Sequence, residues 1–414
     1  IPMLEPADVQ SAYSLMLGAF DLSEKFNLPV VVRVIHALTV DEGVISVPAS
    51  QPPARQPGPF ARQKDRWTVL PVQVVPLHQK LQQKMCAAAG GLAAWPHPLQ
   101  SGSLNRGVIT AGYAWSKLGS VLKNGEELAL PVLGLEVLNP LPAGRIAEFV
   151  AGLDEVLVVE ETAPVIETAV RSIAQQERLP VKVKGRMTGH LLGAGELDTA
   201  AIAAALQRML PDWPGPRLQP EPRSMISRKS LCEGCPYIPV YDALKALMEQ
   251  HGGRDQYVVT GETGCLVRGQ LPPWEMLDVK YSMGSSIGIA SGMQRAGIPH
   301  RPVVLSGDSA FLHNGFGELI DAVHSGRDLL VIILDNNVTA LTGGQPHPAT
   351  QQEGTRGPST QVNLESLIRA AGVEWLRLVD PLDEGQLKPV LEEGLQTAGV
   401  RVIISRSPCV LYQA

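Results

Sequence analysis

The chain has 414 residues, 44% of them apolar and 18% charged, a globular composition long enough for two or three cores. Its 35 basic and 41 acidic side chains give a net charge of -6, which offers no basic face to a nucleic acid. No apolar run reaches the length of a membrane-spanning helix, and the 40 glycines and 34 prolines fall in scattered turns, so collagen-like and wholly disordered classes are excluded.

The chain opens Ile-Pro-Met without a basic-then-apolar leader, which reads as a processed chain or a piece of a longer one. A helix is predicted from Ala7 to Lys25, with Ala12, Leu15, Ala19 and Leu22 on one face, then a short strand from Pro29 to Arg33. From Pro48 to Pro59 the pattern breaks into a proline-rich loop. Cys86 falls in an alanine-rich helical run and is expected in a core. A second unit begins near Arg106, with a buried strand from Gly107 to Gly112 and a helix from Tyr113. The apolar run Leu128 to Leu133, a helix from Ala143 and the strand Glu155 to Glu160 follow. Five prolines between Pro211 and Pro222 mark a second linker. The third unit, from about Arg223, carries strands at Tyr257–Thr260, Pro302–Leu305, Leu329–Leu334 and Val400–Ile404. Short apolar strands alternating with helical stretches give an α/β fold class with doubly wound, mostly parallel sheets. In such sheets ligands sit at the carboxyl ends of the strands.

Two motifs fall at such ends. One strand runs straight into Gly307-Asp308-Ser309; a second, Leu329–Leu334, ends in Asp335-Asn336-Asn337, placing Asn336 28 residues after Asp308. Mg²⁺ takes hard oxygen ligands in an octahedron, often a carboxylate, an amide oxygen, a main-chain carbonyl and phosphate oxygens. An Asp and an Asn at the ends of neighbouring strands supply such a set over a diphosphate, and Gly307 lets the main chain come close to it. Singly, each motif is a capped turn or an Asx turn. Together they resemble the thiamine-diphosphate fingerprint, with Ser309 in place of its usual final glycine.

The wider context narrows the family. Gly307-Asp-Ser-Ala-Phe-Leu-His-Asn-Gly315, Thr342-Gly-Gly-Gln-Pro-His-Pro348, Met283-Gly-Ser-Ser-Ile-Gly288 and Cys232-Glu-Gly-Cys-Pro236 occur in one chain. With Ile1-Pro-Met-Leu-Glu-Pro-Ala-Asp8 and Gly195-Glu-Leu-Asp198, nearly the whole chain resembles the large subunit of indolepyruvate:ferredoxin oxidoreductase, among the 2-oxoacid:ferredoxin oxidoreductases. The resemblance implies oxidative decarboxylation of a 2-oxoacid, such as an arylpyruvate, on thiamine diphosphate. Electrons would leave singly through iron–sulfur centres to ferredoxin, and CoA would take the acyl group. It implies that Asp308, Asn336 and the Val338 carbonyl hold Mg²⁺, with Asn337 as the alternative to Asn336. Met283 and Gly284 would line the thiamine body, and Thr342, Gly343, Gly344 and Gln345 would close over the diphosphate end. His313 would lie near the reacting centre as acid, base or polariser, against the plainer reading of a structural loop histidine. It implies five segments: residues 1–47, ending a pyrimidine domain; 48–105, linker and connecting helices; 106–210, a Rossmann-like domain of transketolase C-terminal type; 211–222, a linker; and 223–414, the pyrophosphate-binding domain.

Cys232-x-x-Cys235 alone suits a zinc half-site, a redox pair or a tight turn. With Cys265 and Cys409 it is similar to the four cysteines that shorter relatives in the wider family place around a [4Fe–4S] cluster, whose ligands are thiolates. Glu233, Tyr237 and Ile238 stand where the resemblance leads one to expect Pro, His and Arg. It also places a pyrimidine-binding domain, with the activating glutamate, before the segment matching Ile1, and a ferredoxin-like domain after Ala414. Glu5, in an entry turn, is not assigned the activating role. The implied partners are a chain supplying the pyrimidine-binding domain, a smaller oxidoreductase subunit and ferredoxin. Five cysteines without secretory spacing suggest a cytoplasmic setting. Two other readings stay open: a non-oxidative thiamine-dependent decarboxylase or lyase, and a non-catalytic assembly subunit that keeps the cofactor fold.

Overall fold

The computed structural model describes residues 1–47, 62–63, 67–93, 95–123, 129–213, 215–218, 230–350, 353–354, 357–358 and 361–412. The proline-rich stretch from Pro48 to Pro59, Leu128 and the end of the second linker lie outside the described residues. The chain divides into two compact units, Ile1–Ser224 and Met225–Ala414. No described helix is long and apolar enough to cross a membrane.

In the first unit β1 (Met3–Leu4) leads into α1 (Val9–Phe26). Asp8 caps that helix: its carboxylate accepts the Ser11 N–H while the Ser11 side chain reaches back. Leu15, Ala19 and Leu22 are buried as their spacing predicts, and Asn27, at φ 51°, ends the helix in the left-handed conformation. β2 (Val31–Val32) is shorter than the predicted strand and pairs parallel to β1. α2 (Val74–Leu92) buries Ala88 and Leu92. Cys86, expected in a core, is exposed on this helix. Two residues before Ala88, it stands about 200° around the helix from the buried side.

β3 (Leu99–Gln100), β4 (Arg106–Ala111), α3 (Ala114–Lys123), β5 (Val132–Leu135), β6 (Val137–Asn139) and α4 (Ala143–Val150) follow. Then come β7 (Glu155–Val159), α5 (Val165–Gln176), β8 (Lys182–Lys184) and α6 (Thr199–Met209), the last capped by Asp198. The main sheet has the order β3-β5-β4-β7-β8 and is parallel except for the β3–β5 pair. β1 joins β2 and antiparallel β6 in a smaller sheet. Val108, Leu157 and Val159 enter one core and Ile109, Ala111, Val156 and Val158 the other. Side chains alternate between sheet faces, so helices cover both, and that is why these strands are apolar throughout.

The second unit contains α7 (Tyr237–Gln250), β9 (Tyr257–Gly261), β10 (Val279–Lys280), α8 (Ser286–Arg295), β11 (Arg301–Gly307) and α9 (Phe316–His324). It continues with β12 (Leu329–Asp335), α10 (Leu364–Ala370), β13 (Trp375–Val379), α11 (Glu384–Gln396) and β14 (Val400–Arg406). The sheet order is β10-β9-β11-β12-β14-β13, and every pair is parallel. Leu330, Ile332 and Leu334 of β12 pack with Leu244 and Leu391 on one face. Leu329, Val331 and Ile333 pack with Ile287 and Leu319 on the other. β11 and β12 pair in register up to Gly307 opposite Leu334, so their carboxyl ends lie side by side.

Candidate cofactor site at the carboxyl edge of the second sheet

After Gly307 the chain turns at once into a short helical turn, Asp308–Ala310, and passes through a π-helical turn, Phe311–Gly315, into α9. Asp308 is buried at 3% exposure. Its Oδ1 accepts the Ser309 N–H at 2.7 Å, and its Oδ2 accepts the Asn336 N–H at 3.1 Å and meets His347 Nε2 at 3.0 Å. Asn336 Oδ1 accepts the Val338 N–H at 3.3 Å, an Asx turn with exposed Asn337 at its corner, φ 63°. Asp308, Asn336 and Val338 thus come together in the wall of one cleft, with Gly307, Ser309 and Met283. The cleft measures about 40 Å³, room for roughly three water-sized groups. The Ser309 hydroxyl accepts from Thr339 Oγ1 at 2.9 Å, so the serine in place of glycine ties this turn to the loop after β12.

The other predicted residues lie outside the cleft wall. Gly284, at φ 80°, sits so close to Asn314 that a Cβ would come within 2.3 Å of the Asn314 Cβ. Thr342 to Gln345 form a turn of their own: Thr339 N–H donates to Gln345 O at 2.9 Å and Thr342 Oγ1 to Gln345 Oε1 at 2.6 Å. His313 is exposed on the π-helical turn, more than one turn along the chain from Asp308.

Three contributors were missed by sequence reasoning. Glu262, immediately after β9, is fully buried. Its Oε1 accepts from Ser306 Oγ at 2.5 Å and the Gly307 N–H at 3.0 Å; its Oε2 accepts the Gly284 N–H at 2.6 Å and Ser286 Oγ at 3.2 Å. Burial pushes its carboxyl above the ordinary range, and these four donors pull it back. A glutamate directly after an apolar strand was a legible signal, but the segment Gly261 to Cys265 drew attention for its cysteine. His347 touches Asp308 across 39 residues, a contact no local pattern announces. Asp335 pairs with Arg406 Nε at 2.7 Å, and burial and then nearby Asp308 push its carboxyl up.

Cys232, Cys235, Cys265 and Cys409 line a second cavity of about 160 Å³, similar to cavities that admit a benzene ring. Cys235 N–H donates to Cys232 O at 3.1 Å in a turn with Gly234 at φ 71°, and Cys409 N–H donates to Asn336 O at 3.1 Å. Burial, with the other three cysteines adding to it, pushes the Cys235 thiol up to about 11, against a pull from the Tyr237 N–H. Among the described residues no three His, Cys, Asp or Glu converge on a single-ion site. Four cysteines thus border one cavity. Cys265 and Asn336 belong to the walls of both cavities. Tyr237 lines the Asp308 cleft and is buried, its hydroxyl donating to the Leu334 carbonyl at 3.1 Å, so an aromatic wall stands where the resemblance suggested histidine. Ile238 packs on the core and Glu233 is exposed. In the first unit, Glu5, directly after β1, is 3% exposed and ion-paired with Arg33.

The profile of the thiamine pyrophosphate enzyme C-terminal TPP-binding domain matches residues 262–405. Indolepyruvate oxidoreductase subunit IorA of Methanothermobacter thermautotrophicus is 34% identical over 99% of this chain and 67% of its own length. The subunit of the same name from Methanothermobacter marburgensis is 32% identical over 100% of this chain and 67% of its own. 2-Oxoglutarate synthase subunit KorB of Methanothermobacter marburgensis is 28% identical over 44% of this chain and 66% of its own. By this identity and coverage the chain belongs to the family of indolepyruvate oxidoreductase IorA subunits, thiamine-pyrophosphate-dependent oxidoreductases of the 2-oxoacid:ferredoxin type.

Proposed function

We propose that the second unit holds the diphosphate end of thiamine diphosphate through Mg²⁺ on Asp308, Asn336 and the Val338 carbonyl, and a [4Fe–4S] cluster on Cys232, Cys235, Cys265 and Cys409. The whole would serve as a subunit of an arylpyruvate:ferredoxin oxidoreductase, with indolepyruvate as the leading substrate. The observation that carries this reading is the shared wall: Cys265 and Asn336 border both the four-thiol cavity and the Asp308 cleft. A one-electron acceptor would then stand beside the diphosphate end of the cofactor. Neither a non-oxidative decarboxylase nor an assembly subunit gives four cysteines lining one cavity a purpose.

The donor set fits the groups. Asp308, an amide oxygen and a main-chain carbonyl are hard oxygens of the kind Mg²⁺ takes. Gly307 has φ -81°, open to any residue, and a Cβ there would meet none of the described residues within 4 Å. Neither backbone conformation nor protein packing calls for glycine; the close approach of a ligand does. The cleft is too small to enclose a whole cofactor, which accords with a site completed by a partner's pyrimidine-binding domain and its activating glutamate.

Thiamine diphosphate, when bound, supplies the electron sink for loss of CO₂. This chain's residues orient and shield. Asp308 and Asn336 would hold the metal that the diphosphate needs, Glu262 fixes the Gly307 turn and the Met283–Gly284 loop from beneath, and Tyr237 and Met283 line the cleft wall. His313 is exposed and does not line this cleft. The balanced reaction takes a 2-oxoacid and CoA to acyl-CoA, CO₂ and a proton, with two electrons leaving singly to ferredoxin. A smaller oxidoreductase subunit completes the assembly, and a reducing cytoplasm suits the free thiols.

The test is iron and acid-labile sulfide in the anaerobically purified complex. Replacing Cys232 and Cys235 together by alanine lowers iron by about four per chain if the cluster is here. Asp308→Ala keeps that iron and loses thiamine diphosphate binding. Unchanged iron in the double cysteine variant refutes the cluster, and turnover of indolepyruvate no faster than of aliphatic 2-oxoacids refutes the substrate.

A further inference from the structure

We propose that His347 is a positioning residue that fixes which oxygen of Asp308 faces the metal and joins that ligand to the loop carrying the other two; this rests on the reading of the Asp308 cleft as a metal site. The imidazole is fully buried, with its side chain at 0% exposure. Its Nδ1 accepts the Ala349 N–H at 3.2 Å. A ring nitrogen that accepts carries no proton, so the ring is the neutral tautomer with its hydrogen on Nε2. That hydrogen points at Asp308 Oδ2, 3.0 Å away.

The consequence follows from counting lone pairs. A carboxylate oxygen has two acceptor directions. Oδ2 of Asp308 has both filled, by His347 Nε2–H and the Asn336 N–H, whereas among the described residues Oδ1 accepts one N–H, that of Ser309. A cation can therefore bind Asp308 through Oδ1 alone, as a monodentate ligand. Without the imidazole the carboxylate is free to turn or to bind through both oxygens.

The same residue is anchored to the second ligand segment. His347 N–H donates to Thr350 Oγ1 at 3.1 Å, and Thr350 Oγ1 donates to the Asn337 carbonyl at 3.0 Å. Thr350 N–H returns to the His347 carbonyl at 2.8 Å. One end of this unit holds Asp308 and the other holds the loop between Asn336 and Val338. The relative placement of all three oxygen ligands depends on it. This assigns a task to the segment beyond the Thr342–Gln345 turn, which itself satisfies its own hydrogen bonds. Hydrogen-bond partners of metal ligands typically matter to affinity by about 10–100-fold.

Mn²⁺, visible by electron paramagnetic resonance, tests this in the intact protein with its partners and thiamine diphosphate present. His347→Phe keeps a flat ring and removes the donor. His347→Gln places an amide N–H where Nε2–H stood. The phenylalanine variant should bind Mn²⁺ at least about tenfold more weakly than wild type, and the glutamine variant within about threefold of it. If the phenylalanine variant fails to fold, His347→Asn replaces it, because its shorter amide cannot reach Asp308. Wild-type Mn²⁺ affinity in the donor-less variant, or a glutamine variant as weak as it, overturns the proposal. Asp308→Ala separates the two levels. If it still binds Mn²⁺ like wild type, the metal reading of the cleft fails; if it loses Mn²⁺ while the donor-less His347 variant keeps it, only the role of His347 fails.

Discussion

Replacing Glu262 with glutamine changes no volume and tests whether a carboxylate holds the cleft from beneath. Each carboxylate oxygen takes one backbone N–H and one serine hydroxyl: Gly307 and Ser306 at Oε1, Gly284 and Ser286 at Oε2. A glutamine has an NH₂ at one end, so in either orientation one backbone N–H faces another donor. The serine at that end can rotate and accept; the backbone N–H cannot. The loss is one hydrogen bond to a charged acceptor, about 1.5–3 kcal/mol. Relief of the buried charge offsets part of it, leaving roughly 1–2 kcal/mol. In a unit of this size that lowers the thermal midpoint by about 2–8 °C. Glu262→Ala removes every acceptor at once and should cost about 3–5 kcal/mol. Differential scanning calorimetry of the cofactor-free protein measures both against wild type. A glutamine variant within experimental error of wild type, or as unstable as the alanine variant, would refute the reasoning.

Two glycines of the site should respond in opposite ways. Gly307→Ala, into open space at φ -81°, should leave the cofactor-free midpoint unchanged or raise stability by about 0.4–1 kcal/mol, yet weaken thiamine diphosphate binding in titration calorimetry. Equal cofactor affinity would remove the close-approach argument. Gly284→Ala, at φ 80° and 2.3 Å from the Asn314 Cβ, should cost about 2–4 kcal/mol even without cofactor, and a wild-type unfolding curve would contradict the packing described. A pH effect belongs to the first unit, where burial raises the Glu160 carboxyl above its ordinary 4.5 although α5 N–H groups hold it down. The native unit then holds a proton that the unfolded chain has released, so this contribution is complete below 4.5 and is lost as pH rises through the raised value. The stability of wild type relative to Glu160→Gln should fall from pH 4.5 towards neutrality, and a difference that grows with pH would reverse the sign.

The sheets were legible because both their faces are covered. A strand such as Leu329–Asp335, buried along its whole length, reads as one unbroken apolar run ending in a polar turn. Where that condition fails, legibility fails too. β2 pairs over two residues because its partner β1 is itself only two residues long, which no property of Pro29 to Arg33 could announce. Cys86 is followed by three alanines, which mark no face, so its helix could be read but its orientation could not. His313 is near Asp308 along the chain, yet the π-helical turn leaves it exposed and outside the cleft wall.

The site divides along the same line, between what one segment states and what the sheet brings together. Gly307-Asp308 and Asn336 were legible because each follows its own strand. His347 was not, since its partner lies 39 residues away and the residue alone is unremarkable; Glu262 does follow its own strand, but its partners, up to 45 residues away, could not be read from it. The cysteines show why a parallel sheet makes such convergence common. Cys265 and Cys409 follow the carboxyl ends of β9 and β14. Cys232 and Cys235 precede α7, and a helix that crosses back over a parallel sheet starts at that same carboxyl edge. One topological rule thus delivers all four thiols, and the Asp308 cleft beside them, to a single rim. The spacing of the cysteines in sequence is arbitrary; their position relative to strand ends is not, and that is the property by which a sequence of this class is best searched for its ligands.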